Sequence, residues 1–312
     1  MKSIMYHYVR EASSILPEFI YLHVEDFERQ IDYFCENYHI VSKQEFDNCL
    51  EKKETIDNGI VLTFDDGLID HYKYVYPILK ERGLWGIFYI PTQPYQEKTL
   101  LDVHRVHYLL GKYGGEKISD LLKSILTDED LIEGNEELFI SSTYTKQDNN
   151  TYTTQVKQIV NYYMKPDKKS TILKRVLDML NENEELLFET YYMNKEQINE
   201  MIDNGFSVGS HGHRHTLFSN MNFNEQEKEI KKSIEIIQNL TNHRMYNSFC
   251  YPYGGQQSYD KNTLKILEQQ NFESAISVES RDILVEDLEN KYEIPRYDCN
   301  EFKYGKATKG QK

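Results

Sequence analysis

Ile60-Val61-Leu62-Thr63-Phe64-Asp65-Asp66-Gly67 decides how this 312-residue chain is read. β-favouring and apolar residues run into two adjacent carboxylates and a glycine, and Asn58-Gly59 marks a turn just before them. A short run of this kind, bounded by turn signals, predicts a buried strand that delivers acid groups at its end. Successive strand residues point to opposite faces, so Asp65 and Asp66 can take different tasks, one holding a metal and the other handling a proton. By itself the stretch also fits a polar turn whose acids are solvated or cap the next helix. Complementary ligands elsewhere in the chain decide between the two.

Working outward, the periodicity alternates. Ser3 to Val9 reads as a first strand, Val24 to Tyr38 as a helix with Phe27, Ile31, Phe34 and Cys35 at helical spacing, His39 to Val41 as a short strand, and Lys43 to Lys52 as a polar-faced helix. After Gly67, His71 to Arg82 reads as a helix stopped at Gly83, and Trp85 to Ile90 as a strand ended by Pro91. Further on come helices at Met193 to Asn204, Phe223 to Leu240 and Asp260 to Gln269. Strands are expected at Phe206 to Ser210, Met245 to Tyr251, Phe272 to Val278 and Tyr292 to Pro295. Alternation of this kind predicts an α/β protein, a distorted (β/α) barrel of about seven strands. From about residue 92 to 189 the rhythm changes to helical pieces, Val103 to Leu110, Ile118 to Leu126 and Ser170 to Leu180, around a polar stretch, Thr127 to Thr154. Residues 1–312 are therefore expected to form one barrel domain with a mainly helical inserted subdomain at about 92–189.

The charge balance is unfavourable for anionic partners. With Lys+Arg 36 against Asp+Glu 51 the net charge is −15, which argues against nucleic acid as the main partner. Cys35, Cys49, Cys250 and Cys299 show no paired metal-type spacing and are expected to be reduced. No apolar run reaches the length of a membrane span or resembles a signal peptide, so the expectation is a cytoplasmic chain. The 25 tyrosines would suit a sugar cleft, although the chain's general richness in Lys, Asn, Ile and Glu explains them equally well.

The complementary ligands follow the Phe206 to Ser210 strand, in Ser210-His211-Gly212-His213-Arg214-His215. His211 and His215 are four residues apart, which puts two imidazoles on one side of a helical turn. Added to Asp66 they make two nitrogen ligands and one carboxylate with positions left open, a set used by zinc hydrolases and by non-haem iron enzymes alike. His104 and His107 form another pair on an expected helix, where surface packing is the simpler role.

Thr63-Phe64-Asp65-Asp66-Gly67 and His211 with His215 resemble the T-F-D-D-G and H-x-x-x-H motifs of the polysaccharide deacetylases, carbohydrate esterase family four. Tyr251-Pro252-Tyr253-Gly254 is similar to that family's third motif, and Met5-Tyr6-His7-Tyr8-Val9 to a frequent opening. The resemblance covers the barrel portions on either side of the insertion. It implies a distorted barrel with one divalent metal, zinc first and cobalt, nickel or iron as alternatives, that N-deacetylates an amino sugar in a polysaccharide or a glycan precursor. Asp66, His211 and His215 would hold the metal, Asp65 would be the general base, and the backbone N–H of Tyr253 would help to stabilise the oxyanion.

Two positions depart from the pattern. Cys250 stands where the third motif usually carries an arginine that orients the base, and Arg296, at the end of the last expected strand, is the candidate to replace it. The late Leu-x-His motif that supplies a general acid has no counterpart, because His243 is the last histidine. His7, His213 or Asp65 acting twice are the candidates. These departures keep open a catalytically silent carbohydrate-binding protein with a residual metal site, and a hydrolase of another small amide such as a formamido sugar or a ureide.

Overall fold

The computed structural model describes residues 1–132 and 150–309. The opening stretch is a strand, Gly59–Phe64, buried at every position. It belongs to a parallel sheet whose members are, in chain order, β1 (Lys2–Tyr6), β2 (His39–Ile40), β3 (Gly59–Phe64), β4 (Ile87–Ile90), β5 (Ser207–Ser210), β6 (Ser248–Cys250), β7 (Ser274–Ile276) and β8 (Tyr297–Asp298). The spatial order is β8-β1-β3-β4-β5-β6-β7, with β2 also paired to β3. Every pairing is parallel, so all the strands finish at one edge. The segment after β7 completes the wall. Ile294 bridges Ile276, the Ser277 N–H donates to the Ile294 carbonyl at 2.8 Å, and β8 pairs with β1. The result is the distorted (β/α) barrel that the alternation predicts.

Side-chain alternation divides β3 between two cores. Ile60, Leu62 and Phe64 join Phe27, Ile31, Phe34, Val75 and Leu79 from the surrounding helices. Val61 joins Ile87, Tyr89, Cys250, Ile276 and Ile294. Thr63 and Asp65 continue the Val61 series at period two, which carries the Asp65 carboxylate toward Cys250 and the 294–296 segment. Both faces are apolar and covered, as a parallel sheet requires.

The chain divides into two compact units, Met1–Glu11, Tyr21–Thr99 and Phe188–Thr308 forming one, and Ala12–Ile20, Leu100–Leu187 and Lys309–Lys312 the other. Helices Asp102–Ile125, Thr151–Gln158 and Pro166–Met179 build the second, the first of them packing on both others. The two helical pieces expected at 103–110 and 118–126 are one span interrupted at Gly114, whose φ of 76° and ψ of 162° are not helical. Buried Arg105 is held there by Asp102 and Glu184 at 2.6 and 2.5 Å, an internal tie rather than a site. Most of the polar stretch Thr127–Thr154 lies outside the described residues.

Several sequence expectations need correction. Tyr292–Pro295 is not a strand; the last strand of the sheet is Tyr297–Asp298, fixed by its pairing to β1, a long-range partner that no local pattern encodes. Helices Thr151–Gln158 and Glu184–Tyr191 were not anticipated. The segment after Gly67 opens as a π-helical turn, His71–Val75, before Tyr76–Glu81. All four cysteines are free thiols. Among the described residues no helix is long and apolar enough to cross a membrane.

Candidate active site

Register brings the motif residues together. Tyr6 pairs with Phe64 across β1 and β3, and the Asp65 N–H donates to the Tyr6 carbonyl at 2.9 Å, so His7 and Asp65 emerge side by side. Ile90 pairs with Ser210 across β4 and β5, and the His211 N–H donates to the Ile90 carbonyl at 3.0 Å. Cys250 pairs with Ile276 at the end of β6, just before Tyr251-Pro252-Tyr253. All of these lie at the carboxyl edge of the sheet, where barrels carry their chemistry.

Asp65 is buried to 1 % exposure and held in a fork. Arg296 donates from Nη1 to Oδ1 at 2.8 Å and from Nη2 to Oδ2 at 2.7 Å, the bidentate geometry that a guanidinium offers a carboxylate. Arg296 is itself only 1 % exposed, so the ordinary expectation of a surface arginine fails here. Its Nη1 also donates to Thr63 Oγ1 at 3.1 Å, and Nη2 to the Cys250 sulfur at 3.1 Å. Burial alone would raise the Asp65 carboxyl, but the charge of Arg296, helped by its hydrogen bonds, holds it at about 2. Burial pushes the Cys250 thiol well up, so it remains a neutral neighbour of the pair. On the other flank His7 Nε2 lies 3.9 Å from Asp65 Oδ2, with a side chain 39 % exposed. His71 fixes the backbone there, its Nε2 2.9 Å from the His7 carbonyl, and burial lowers its pKa to about 4, which keeps the ring neutral.

Asp66 turns away from its neighbour because its backbone is left-handed, with φ of 78°. Its Oδ1 lies 3.7 Å from His211 Nε2 and 3.5 Å from His215 Nε2, and the three groups offer ligand atoms all within 4.8 Å of one another. Ligands at about 2.1 Å from a tetrahedral ion stand roughly 3.4 Å apart, so this set fits a divalent cation. The His211 ring is oriented from behind. Its Nδ1 is 2.8 Å from the Cys250 carbonyl, which can only accept, so Nδ1 carries the proton and Nε2 presents its lone pair to the site. Gly212 has φ of 74° and His215 φ of 53°, so the connection between the two ligands is a tight non-helical loop rather than a helical turn. A second trio, Asp65, His211 and Cys250, is equally compact, but Arg296 already occupies the Asp65 oxygens.

The other expected groups separate. Tyr253 is left-handed, with φ of 65°, in the turn after β6, and its ring, 52 % exposed, lies 5.0 Å from that of His215. His213 does not face solvent; its Nδ1 is 2.8 Å from Thr92 Oγ1 in the buried interior. His104 is fully buried rather than on a helix surface, 6.3 Å from the ring of His107, and both belong to the second unit. Sequence reasoning missed His71 and Thr92, single residues in a helix start and a loop that nothing local distinguishes.

Residues 163–275 match the family model for polysaccharide deacetylase, a span that includes His211, His215 and Tyr253 and leaves out Asp65 and Asp66. No curated protein matches the chain by sequence. Among solved structures, a Streptococcus pyogenes deacetylase, PplD, in complex with acetate is similar with a TM-score of 0.56 at 16% identity, over 96% of this chain and 91% of that one. IcaB from Ammonifex degensii follows with a TM-score of 0.52 at 16% identity, over 95% and 90%. A de-N-acetylase from Aggregatibacter actinomycetemcomitans gives a TM-score of 0.52 at 14% identity, over 95% and 93%. At these identities the structures speak for the fold. The chain is thus similar to the polysaccharide deacetylases over residues 163–275, where their family model matches, and it shares its fold with solved deacetylase structures.

Proposed function

We propose that the chain is a metal-dependent hydrolase that removes an N-acetyl or similar acyl group from an amino sugar of a polysaccharide or glycan precursor. One observation carries the reading: a carboxylate clamped by a buried arginine stands beside a separate set of one carboxylate and two imidazoles spaced for a divalent cation. Asp66, His211 and His215 would hold that cation, zinc being the first choice for two nitrogens and one carboxylate. When bound, the cation would supply an acidified water and polarisation of the amide carbonyl.

The chain's own groups divide the remaining work. Asp65 accepts the proton of the attacking water, and Arg296 fixes which way its oxygens point. The charge of Arg296 keeps Asp65 ionised before the attack, and the proton it takes up passes to His7, 3.9 Å away, replacing the one that His7 gives to the leaving nitrogen. His7, partly exposed and 3.9 Å from Asp65, is the group placed to give a proton to the nitrogen as the carbon–nitrogen bond breaks. The products are acetate and the free amine. The backbone N–H of Tyr253, on a left-handed turn at the site, would support the negative charge on the carbonyl oxygen. The inserted subdomain at about 92–189 would belong to a single deacetylase-like barrel chain.

The Arg296 fork supports an active enzyme over a silent sugar-binding protein, because it supplies the partner that Cys250 cannot. Amine release from N-acetylglucosamine oligomers tests the reading, with N-formyl analogues as the comparison for the acyl group. Turnover of the acetyl substrate is expected; sugar binding without amine release from either would favour the silent reading. His7→Gln is expected to lower kcat by about 10² or more while leaving metal content unchanged, as loss of a proton donor does. Unchanged kcat in that variant would remove His7 from the mechanism.

A further inference from the structure

We propose that Glu229 is a positioning residue for the histidine limb of the metal site, acting through the backbone amide of Arg214; this rests on the metal-site reading above. The Phe223–Leu240 helix begins with a capping box, Asn222 and Glu225, and buries Gln226, Glu229, Ile230, Ser233 and Ile237 on one face. A glutamate 4 % exposed among such neighbours is costly unless its oxygens are used. Both are. Oε1 accepts the backbone N–H of Arg214, and Oε2 accepts Arg214 Nε–H at 2.9 Å.

Arg214 immediately precedes the ligand His215, in a loop that cannot hold itself. With Gly212 and His215 both left-handed, its peptide groups have neither helix nor sheet partners of their own, and they need external ones. Residues 92 and 93 hold one side: the Thr92 N–H donates to the Gly212 carbonyl at 3.2 Å and the Gln93 N–H to the His213 carbonyl at 2.9 Å. The helix holds the other. Ser233 Oγ lies 2.8 Å from Ser210 Oγ, which accepts the Gly212 N–H at 3.2 Å, and one turn away Glu229 takes the Arg214 N–H. The guanidinium of Arg214 is the lesser partner, since its side chain is 51 % exposed and an ion pair there is screened by water. Glu229 therefore sets where the chain enters His215, and so where Nε2 meets Asp66.

The distinction between amide and guanidinium makes the test. Zinc affinity is measured by competition with a chelating dye on the full chain. Glu229→Met, similar in volume but without an acceptor, is expected to bind about 10–100-fold more weakly, the range found when groups behind metal ligands are removed. Glu229→Gln, which still offers an oxygen to the amide, recovers most of the affinity. Arg214→Ala, which keeps the backbone N–H, stays within about threefold of the parent, as loss of an exposed ion pair should. Equal losses in Arg214→Ala and Glu229→Met, or an unchanged Glu229→Met, would overturn the assignment. Should Glu229→Met not fold, Glu229→Asp, whose shorter arm falls away from the amide, takes its place. If the parent chain binds no zinc, the metal reading fails, and amide hydrogen exchange of the metal-free protein still decides the clamp. The Arg214 amide is expected to be protected in the parent and in Arg214→Ala and fast in the Glu229 variants that lose the acceptor; protection unchanged in those variants would refute the clamp.

Discussion

Asp65→Asn is expected to lower kcat by about 10²–10⁴ while the protein still takes up its metal, the range attributed to a positioned general base. The separation of effects follows from the backbone. Asp65 continues the inward series of β3 and ends in the Arg296 fork, whereas Asp66, left-handed at φ of 78°, turns to His211 and His215. Asparagine keeps the shape and one acceptor for Arg296 but cannot receive the proton. Kinetics and metal content measured on the same preparation make the comparison. Parent-like turnover would remove Asp65 as base, and loss of metal along with activity would mean that the two carboxylates share one task.

The second large effect is expected at Arg296. Arg296→Leu leaves the Asp65 carboxylate buried without its counter-charge, and breaking a buried pair from one side costs about 3–5 kcal/mol. That is a large part of the roughly 5–15 kcal/mol by which folded proteins are stable. Asp65 would then take up a proton rather than remain charged, so kcat should fall as well. Arg296→Lys is expected to recover little, because an ammonium cannot make the two-pronged contact at 2.8 and 2.7 Å. Adding Asp65→Asn to Arg296→Leu should restore part of the lost stability, since no charge is then stranded. Denaturant midpoints of the metal-free proteins check this order, and an Arg296→Leu midpoint equal to that of the parent would contradict it.

The strand, the two carboxylates and the histidine pair were legible because local chemistry encodes them. So were helices such as Lys43–Lys52 and Phe223–Leu240, which the structure closes with capping boxes, Ser42 with Glu45 and Asn222 with Glu225. Burial of charge was not legible. Arg296 was a candidate from its strand-end position alone, and its burial follows only once β8 is paired with β1 and its side chain is carried inside. The sequence did show a cysteine, Cys250, where the third motif that it resembles has an arginine. The small Cys250 thiol, 3.1 Å from Arg296 Nη2, leaves room for a guanidinium arriving from the far end of the chain. Glu229 was hidden in the same way. A glutamate on an amphipathic helix reads as solvent face, and only the loop packed on that helix reveals why it is inside. The Tyr292–Pro295 strand was misplaced because a two-residue strand owes its position to its partner and not to its own residues.

The most direct test is to strip the chain with a chelator and follow amine release from an N-acetylated amino-sugar oligomer while zinc or cobalt is titrated back. Release is expected to be absent from the stripped protein, to rise in proportion to added metal, and to level off at one ion per chain, with Asp66→Ala failing to recover. Full release by the stripped protein, or none at any metal loading, would contradict a metal-dependent deacetylase built on Asp66, His211 and His215.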